Sequence, residues 1–328
     1  MSPHVPRPLR IAAAGATAAL ALTACGSESA DTDKAPAPQG VVSEATAKKV
    51  ADHYEKVNNK ANATQDEKLL ATVEAGQVYA MDKAVYTLFD TWPKKDQKSY
   101  TEPFSYEDRT YVIPKKGSGD WFAVQAKSSG NDDERVLLVF DKVDGTYKMV
   151  LSLWTAATDI PKPALDKDGL AEAVDPGTKI GELAPTDIRA AYADYLETGG
   201  KKKGKALTST APVENAKKTY RRSSTEGAAE GKATEKFFAK APADPSVYAL
   251  RTADGGVLAL LPLAHKQETL LKESYRSIAD LVPNDEQSAL GATSGPLITD
   301  TFEGQGLAEL TPKAARLTNV DFQHVDAR

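Results

Sequence analysis

The fold of this chain is decided by residues 121–154, which read WFAVQAKSSGNDDERVLLVFDKVDGTYKMVLSLW. Short runs of β-branched, aromatic and aliphatic residues alternate here with turn-forming pairs such as Asn131-Asp132 and Asp144-Gly145. This pattern is typical of consecutive antiparallel strands joined by short turns. With one run upstream included, the predicted strands are 109–113, 121–127, 135–141 and 147–154. The stretch therefore predicts a four-stranded meander.

A helical region precedes this meander. Apolar residues recur at intervals of three and four at Ala47, Val50, Tyr54, Val57 and Ala61. They predict an amphipathic helix over 45–61, and Ser43 is suited to cap its N-terminus. Two further helices are predicted at 65–75 and 78–88, before Trp92-Pro93 ends the region.

The second half of the chain repeats the order of helices followed by strands. The apolar spacing of Ile188, Tyr192, Tyr195 and Leu196 predicts a helix. The strands predicted after it are 247–251, 257–265 and 269–274. The connector between the halves, 161–177, contains three prolines and a predicted short helix at 168–174. Segment 199–233 is rich in Gly, Lys, Ser and Thr and has little periodicity.

These elements predict an α+β fold of two tandem domains, each with N-terminal helices packed on a curved antiparallel sheet. The predicted boundaries are 1–24 for a signal peptide, 25–42 for a lipidated cysteine and flexible tether, 43–178 for the first domain and 179–328 for the second. The order of elements resembles that of folds similar to nuclear transport factor 2. This resemblance implies a cone-like sheet that wraps its helices.

The N-terminus indicates export. His4, Arg7 and Arg10 precede a charge-free run over 11–22 that is too short to span a bilayer stably. The residues Leu22-Thr23-Ala24-Cys25 resemble the lipobox of bacterial lipoproteins. The resemblance implies that Cys25 receives a diacylglyceryl group, becomes the mature N-terminus and anchors the protein to the outer face of the membrane. The alternative is an ordinary secretory signal in which this cysteine has no role.

A second resemblance combines the lipobox with a short internal motif. Val73-Glu74, Gly76, Asp82, Ala84 and Tyr86 are similar to residues in a family of actinobacterial lipoproteins of unknown function. That family carries no established catalytic residues, so the resemblance implies a location and no chemistry.

Composition excludes several classes of protein. With one Cys and four His among 328 residues, a multi-cysteine metal cage and a disulfide framework are excluded. No apolar run reaches the roughly 20 residues of a membrane-spanning helix, which excludes a polytopic membrane protein. The net charge is −5, and loss of Arg7 and Arg10 with the signal makes it more negative. Nucleic acid is therefore not an expected partner.

A basic stretch stands out in this acidic chain. Its residues are Lys201, Lys202, Lys203, Lys205, Lys217, Lys218, Arg221 and Arg222, with Glu214 the one acid among them. Near a membrane such a stretch is a candidate contact for anionic head groups or wall polymers. The alternative is a flexible, solvent-exposed loop with no binding role. Residues 199–206 also nearly match a phosphate-binding loop, but Ala206 replaces the required hydroxyl and the loop follows a helix.

Aromatic residues of the meander are the other candidates. Trp121, Trp154, Tyr111 and Tyr147 line an apolar ligand pocket if the sheet is curved, or they simply fill the core. No catalytic, metal or cofactor-binding residue is predicted, because His53, His265 and His324 lie far apart in sequence and no recognised catalytic motif is present. No acid/base pair is selected among 46 carboxylates.

The sequence thus predicts a non-enzymatic binding module of the cell envelope, anchored through Cys25, that interacts with an envelope protein or a small apolar ligand. One alternative is a solute-capturing lipoprotein with a cleft between its domains. Another is an envelope hydrolase, which requires His, Asp and Ser side chains that converge in a pocket.

Overall fold

The computed structural model describes residues 39–129 and 131–328. The signal peptide predicted at 1–24, the lipidation site Cys25 and most of the tether predicted at 25–42 lie outside the described residues.

The first half begins with helices. They are α1 (Glu44–Thr64), α2 (Glu67–Leu70), α3 (Gly76–Leu88) and α4 (Lys94–Tyr100). The Ser43 side chain accepts a hydrogen bond from the Thr46 amide at 3.2 Å and caps α1 as predicted. The helix predicted over 65–75 is wrong beyond Leu70. There the backbone of Val73 and Ala75 bonds to Met149, and these bonds to a strand replace helical ones.

The predicted meander is confirmed. Its strands are β1 (Tyr106–Val112), β2 (Trp121–Ser128), β3 (Asn131–Val143) and β4 (Thr146–Ala156), paired antiparallel in chain order. Phe122 and Leu138 face α1, whereas Leu137 and Val139 face the second half of the chain. Both faces of the sheet are covered, which explains why its strands read as nearly continuous apolar runs.

The connector contains turns at the position of the predicted helix. One carboxylate oxygen of Asp166 accepts hydrogen bonds from the amides of Asp168 and Leu170 at 2.9 and 3.0 Å, and Gly169 adopts a positive φ of 77°. Ala171 then bridges to Pro114 and Ala173 to Leu250. The short helix predicted at 168–174 is therefore wrong, because the backbone there pairs with neighbouring segments.

The second half begins with α5 (Ile188–Thr198), the helix predicted from its apolar stripe. A further helix, α6 (Ala211–Thr225), lies in the segment without clear periodicity. The strands are β5 (Ala233–Ala239), β6 (Tyr248–Arg251), β7 (Val257–Leu271), β8 (Leu297–Thr311) and β9 (Ala314–Ala327), with the short helix α7 (Asp285–Ala289) before β8. The two predicted strands 257–265 and 269–274 are largely one strand, β7.

The second sheet is also antiparallel. Its order is β5-β7-β8-β9, and β6 pairs with β7 alongside β5. One face packs on α5 and α6 through Ile188, Val213 and Leu261. The opposite face contributes Leu258 and Leu260 to a core that it shares with the first sheet.

The described elements therefore stack as helices, first sheet, second sheet and helices. The shared apolar cluster joins Leu137, Val139 and Leu151 of the first sheet to Leu260 and Leu307 of the second. The predicted α+β class with antiparallel sheets is confirmed. Division into two domains at residue 178, cone-like sheets and similarity to nuclear transport factor 2 stay predictions.

Candidate functional site

The lysine-rich loop after α5 is held by one buried carboxylate. Asp194, which is 5% exposed, accepts hydrogen bonds from the amides of Lys202 at 2.7 Å and Gly204 at 2.9 Å, and from the Thr198 hydroxyl. Burial alone would raise the pKa of Asp194, but the hydrogen bonds from Thr198, Gly204 and Lys202 outweigh burial and lower it. A charged Asp194 thus fixes the loop backbone.

This arrangement differs from a phosphate-binding loop. The amides of Lys202 and Gly204 already bind the carboxylate of Asp194. The Tyr195 hydroxyl donates to the carbonyl of Gly204 at 2.8 Å and closes the loop against α5. The side chains of the four lysines point outward and are exposed.

The loop lies against α6. The ammonium group of Lys201 is 6.0 Å from the ring centre of Tyr220, and that of Lys217 is 5.2 Å from the ring centre of Tyr195. The structure thereby brings the predicted basic residues onto adjacent elements. We call this surface the basic face: Lys201, Lys202, Lys203, Lys205, Lys217, Lys218, Arg221 and Arg222.

A surface cavity of about 380 Å³ adjoins the basic face. Lys202, Lys203 and Lys205 line it together with Lys179, which lies between the connector and α5. Two acids, Glu182 and Asp187, also contribute to its wall. The cavity therefore presents several ammonium groups and two carboxyl groups to a ligand.

The predicted aromatic residues do not come together around one cavity. Trp121 is 7% exposed and packs between the sheets, with its ring centre 5.1 Å from that of Tyr248. Tyr111 and Tyr147 pack on the side of α1. Trp154 is 37% exposed near the end of β4. Trp121 belongs to the apolar cluster between the sheets, and Tyr111 and Tyr147 are partly buried against the cluster on the α1 side.

The structure separates His53 from the other two described histidines, His265 and His324, which it brings into one stack of rings. His53 is exposed on α1. The rings of His265, Phe302 and His324 stack across three strands with centres 4.8 Å apart. Burial lowers the pKa of His265 to about 4, so it is neutral at ordinary pH. Nε2 of His324 lies 3.0 Å from Oδ1 of Asp300.

A pair of acidic residues missed by sequence reasoning forms the most unusual polar site. Glu74 precedes α3 and is 1% exposed, and one of its oxygens, Oε1, accepts hydrogen bonds from the Tyr54 hydroxyl and the Asn58 amide, each at 2.9 Å. The carboxyl of Asp82, on the second turn of α3, contacts the carboxyl of Glu74. Two carboxyl groups form a hydrogen bond only when one of them carries a proton.

Burial is the main cause that raises the pKa of both groups. Burial raises the pKa of Glu74, and the negative charge of Asp82 raises it further. Burial also raises the pKa of Asp82 to about 6. Burial and then the nearby carboxylates also raise the pKa of Tyr54 and of Tyr100. Strongly shifted groups concentrate at functional sites, although structural networks shift them too.

The signal for this pair was present in the sequence. Glu74 and Asp82 both belong to the internal motif that resembles the lipoprotein family. Their spacing of eight residues, however, predicts no contact on an ideal helix surface, where neighbours are three or four apart. That spacing rule does not apply to the pair, because Glu74 lies two residues before the first residue of α3 and the intervening Ala75 has extended backbone.

Comparison with known proteins identifies relatives and no activity. A family model described as "Domain of unknown function (DUF8094)" matches residues 38–328. An uncharacterized lipoprotein of Streptomyces coelicolor is 31% identical over 300 residues, which cover 86% of this chain and 83% of the relative. A second lipoprotein from that organism is 27% identical and covers 85% of this chain and 81% of the relative. An uncharacterized lipoprotein of Streptomyces avermitilis is 27% identical and covers 93% of each chain.

No solved structure matches the chain. Within the described ranges, no helix combines the length and apolar character needed to cross a membrane.

Proposed function

Since this chain belongs to the family described as "Domain of unknown function (DUF8094)", whose Streptomyces relatives are named lipoproteins, we propose that it is a lipid-anchored envelope protein. Its proposed role is to bind an anionic surface through the basic face. The protein acts without catalysis, as a binding module outside the membrane.

The anchor is assigned to Cys25. It is the one cysteine of the chain and it follows Leu22-Thr23-Ala24, the order that resembles a lipobox. A diacylglyceryl group supplies two acyl chains, which together anchor a protein stably where a single chain binds reversibly. The polar segment over 26–40 then serves as a tether.

The main support for the binding role is the pair of hydrogen bonds by which Asp194 fixes the backbone of the lysine loop. Because Lys202 and Gly204 are fixed by this carboxylate, the neighbouring ammonium groups are presented from a defined backbone. A preorganised set of charges loses less entropy when it binds than a flexible one. Each cation near an anionic membrane contributes about 1 kcal/mol.

The proposed partner is the anionic head groups of the membrane. A lipid-anchored protein meets these groups at high local concentration, so that weak contacts by the basic face are strengthened by tethering. The space between the two sheets is filled by the shared apolar cluster, which includes Leu137, Val139 and Leu258. Because this space is filled, the proposed binding site is an exposed surface and not a cleft between domains.

The test measures binding to vesicles by the unlipidated mature chain, so that the anchor does not mask the contact. Vesicles of phosphatidylglycerol and phosphatidylcholine are compared with vesicles of phosphatidylcholine alone at low and physiological salt. We expect binding to the anionic vesicles to weaken with salt. The triple change Lys201→Gln, Lys202→Gln and Lys203→Gln should reduce this binding by about tenfold or more, because it removes three cations from the surface.

The matched control is the triple change Lys94→Gln, Lys95→Gln and Lys98→Gln, which removes three exposed lysines from α4. It lowers the net charge equally and should leave most binding intact. Equal loss in the two variants indicates net charge alone and contradicts a role for the basic face. Unchanged binding by the loop variant at low salt also contradicts it.

A further inference from the structure

The cavity beside the basic face is walled by two segments that flank α5. Charged side chains from both segments line it: Lys179, Glu182 and Asp187 before the helix, and Lys202, Lys203 and Lys205 after it. Leu183 and Ala206 also contribute to the lining. The cavity therefore has charges of both signs beside a small apolar surface.

The wall before α5 is a tight turn with a fixed backbone. The Ile180 amide donates to the Leu183 carbonyl at 2.8 Å. Gly181 adopts a φ of 72°, and a Cβ at this position would lie 2.9 Å from the carbonyl oxygen of Pro312, which lies between β8 and β9. The turn therefore closes against that carbonyl because residue 181 is a glycine. Since Asp194 fixes the lysine loop, both walls hold their charges on ordered backbone.

The lysines determine which kind of anion suits the cavity. Among the described residues that line it, the cations are lysines and none is an arginine. Arginine recognises anions through a rigid, planar pair of bonds, whereas lysine binds phosphate as a compact point charge. Ammonium groups on two walls of one cavity therefore suit a phosphate group, whose oxygens point in several directions.

The two carboxyl groups restrict the ligand further. Glu182 is exposed, and Asp187 uses one oxygen, Oδ2, to accept a hydrogen bond from the Ala184 amide at 2.9 Å. An ionised carboxylate accepts hydrogen bonds and repels another negative charge. Bare phosphate would leave both groups facing an anion, whereas a phosphate ester with hydroxyl groups donates hydrogen bonds to them. The cavity volume of about 380 Å³ falls within the range of small-molecule sites, roughly 300–1,000 Å³.

We propose that this cavity binds the phosphate ester of a small polyol, such as the glycerol phosphate of an anionic lipid head group. Lys179 and the lysine loop bind the phosphate, and Glu182 and Oδ1 of Asp187 accept hydrogen bonds from the hydroxyl groups. Leu183 contacts the carbon chain. The inference rests on the proposed function, to which it adds a specific head-group site within a general electrostatic attraction.

The first measurement is calorimetric titration of the full-length protein in nonionic detergent at neutral pH and low salt. The titrants are glycerol 3-phosphate, glycerophosphoglycerol and inorganic phosphate. We expect an ester to bind about fivefold more tightly than inorganic phosphate, because an added hydrogen bond strengthens binding by about that factor. Tighter binding of glycerophosphoglycerol identifies a lipid head group as the source, and tighter binding of glycerol 3-phosphate identifies a free solute.

Lys179→Gln tests the cavity separately from the basic face, because Lys179 is exposed and does not belong to that face. It should weaken binding of the esters by about three- to fivefold, which is the effect of one exposed charge. The matched control is Lys95→Gln, which removes an exposed lysine from α4 and should bind the esters as the wild type does.

Glu182→Ala gives a readout that a simple loss of cations does not produce. It removes a hydrogen-bond acceptor and a negative charge, so inorganic phosphate should bind more tightly and the preference for the esters should largely disappear. This exposed residue should be replaced without loss of the fold.

The proposal is overturned if neither ester binds at millimolar concentrations in low salt, or if Lys179→Gln binds them as tightly as Lys95→Gln does. It is also overturned if Glu182→Ala keeps the wild-type preference. A wild type that binds phosphatidylglycerol vesicles but neither ester refutes the cavity site alone. A wild type that does not bind these vesicles refutes the proposed role of the basic face.

Discussion

The side chain of Gln305 pairs with the backbone of Ser152 in both directions. Its Oε1 accepts from the Ser152 amide at 2.8 Å, and its Nε2 donates to the Ser152 carbonyl. Gln305 lies on β8 and is 2% exposed, whereas Ser152 lies on β4 of the other sheet. This pair is one of the polar links between the two sheets, as is the hydrogen bond that the Tyr248 hydroxyl donates to Asp141 at 2.8 Å.

Gln305→Ala should destabilise the protein by about 2–4 kcal/mol, because it leaves the amide and carbonyl of Ser152 without their partners. Guanidinium unfolding monitored by tryptophan fluorescence measures the change. Gln39→Ala removes an exposed amide side chain and serves as the control, with an expected effect within about 0.5 kcal/mol. Equal stability of the two variants would show that the Gln305 pair contributes nothing.

Asp82 should contribute less to stability as pH rises from about 4 through about 6, whereas His265, whose pKa is lowered by burial to about 4, contributes more over the same range. The pKa of Asp82 is raised from 3.8 to about 6 in the folded state, so the folded protein holds a proton that the unfolded chain has released. Asp82 therefore contributes its full stability below about pH 4 and loses it above about pH 6, by about 2–3 kcal/mol. The difference between the urea unfolding free energies of the wild type and of Asp82→Asn, measured across this pH range, isolates the contribution of Asp82.

Asp82→Asn should lack the fall that Asp82 contributes, since the amide does not titrate. Asp90→Asn is the control and should keep the wild-type profile. A wild-type stability that rises over the same pH range, after subtraction of the Asp82→Asn profile, would contradict the raised pKa.

Asp194→Ala should release the lysine loop. It removes the acceptor of the Lys202 and Gly204 amides and should lower stability by about 2–4 kcal/mol. Limited trypsin digestion should cut between Lys201 and Lys205 much faster in this variant, as followed by mass spectrometry. Glu182→Ala changes an exposed acid of the same cavity and should be cut at the wild-type rate. Identical digestion of both variants would contradict the role of Asp194.

Cys25→Ala should abolish lipidation and retention at the membrane. Alanine has no thiol to form the thioether, so labelling with a radioactive fatty acid should disappear and the protein should leave the membrane fraction or remain unprocessed. Cell fractionation and labelling measure these outcomes. If the variant is still processed and retained as the wild type is, the anchor assigned to Cys25 is wrong.

Local signals explain which elements were predictable. The strands over 121–154 were predicted because turn residues and β-rich runs lie within a few residues of each other. The helix α6 was missed because its buried stripe is sparse, with Pro212, Val213, Ala216 and Ser223 among many charges. The strand β8 was missed because polar side chains such as Gln305 are buried within it, and β9 was missed because most of its residues are only partly buried and show no clear alternation.

In the candidate sites, too, properties of single residues were predictable from the sequence and contacts between distant residues were not. The basic residues were predicted individually, since charge is a property of the sequence, but the loop's attachment to Asp194 and its contact with α6 were not. The pocket predicted from aromatic residues depends on which face of the sheet each side chain occupies. Residue type alone does not say which face of a strand is covered, and Trp121 and Tyr147 proved to face opposite sides.

The sequence by itself determined the meander, the capped first helix and the α+β class, because periodicity, capping and turns act between residues close in the chain. Only the tertiary structure decided that the sheets share a core, that Gln305 reaches Ser152, and that Glu74 meets Asp82 in a buried network. These contacts depend on burial and on long-range packing, and packing overrides local preference wherever enough apolar surface leaves water.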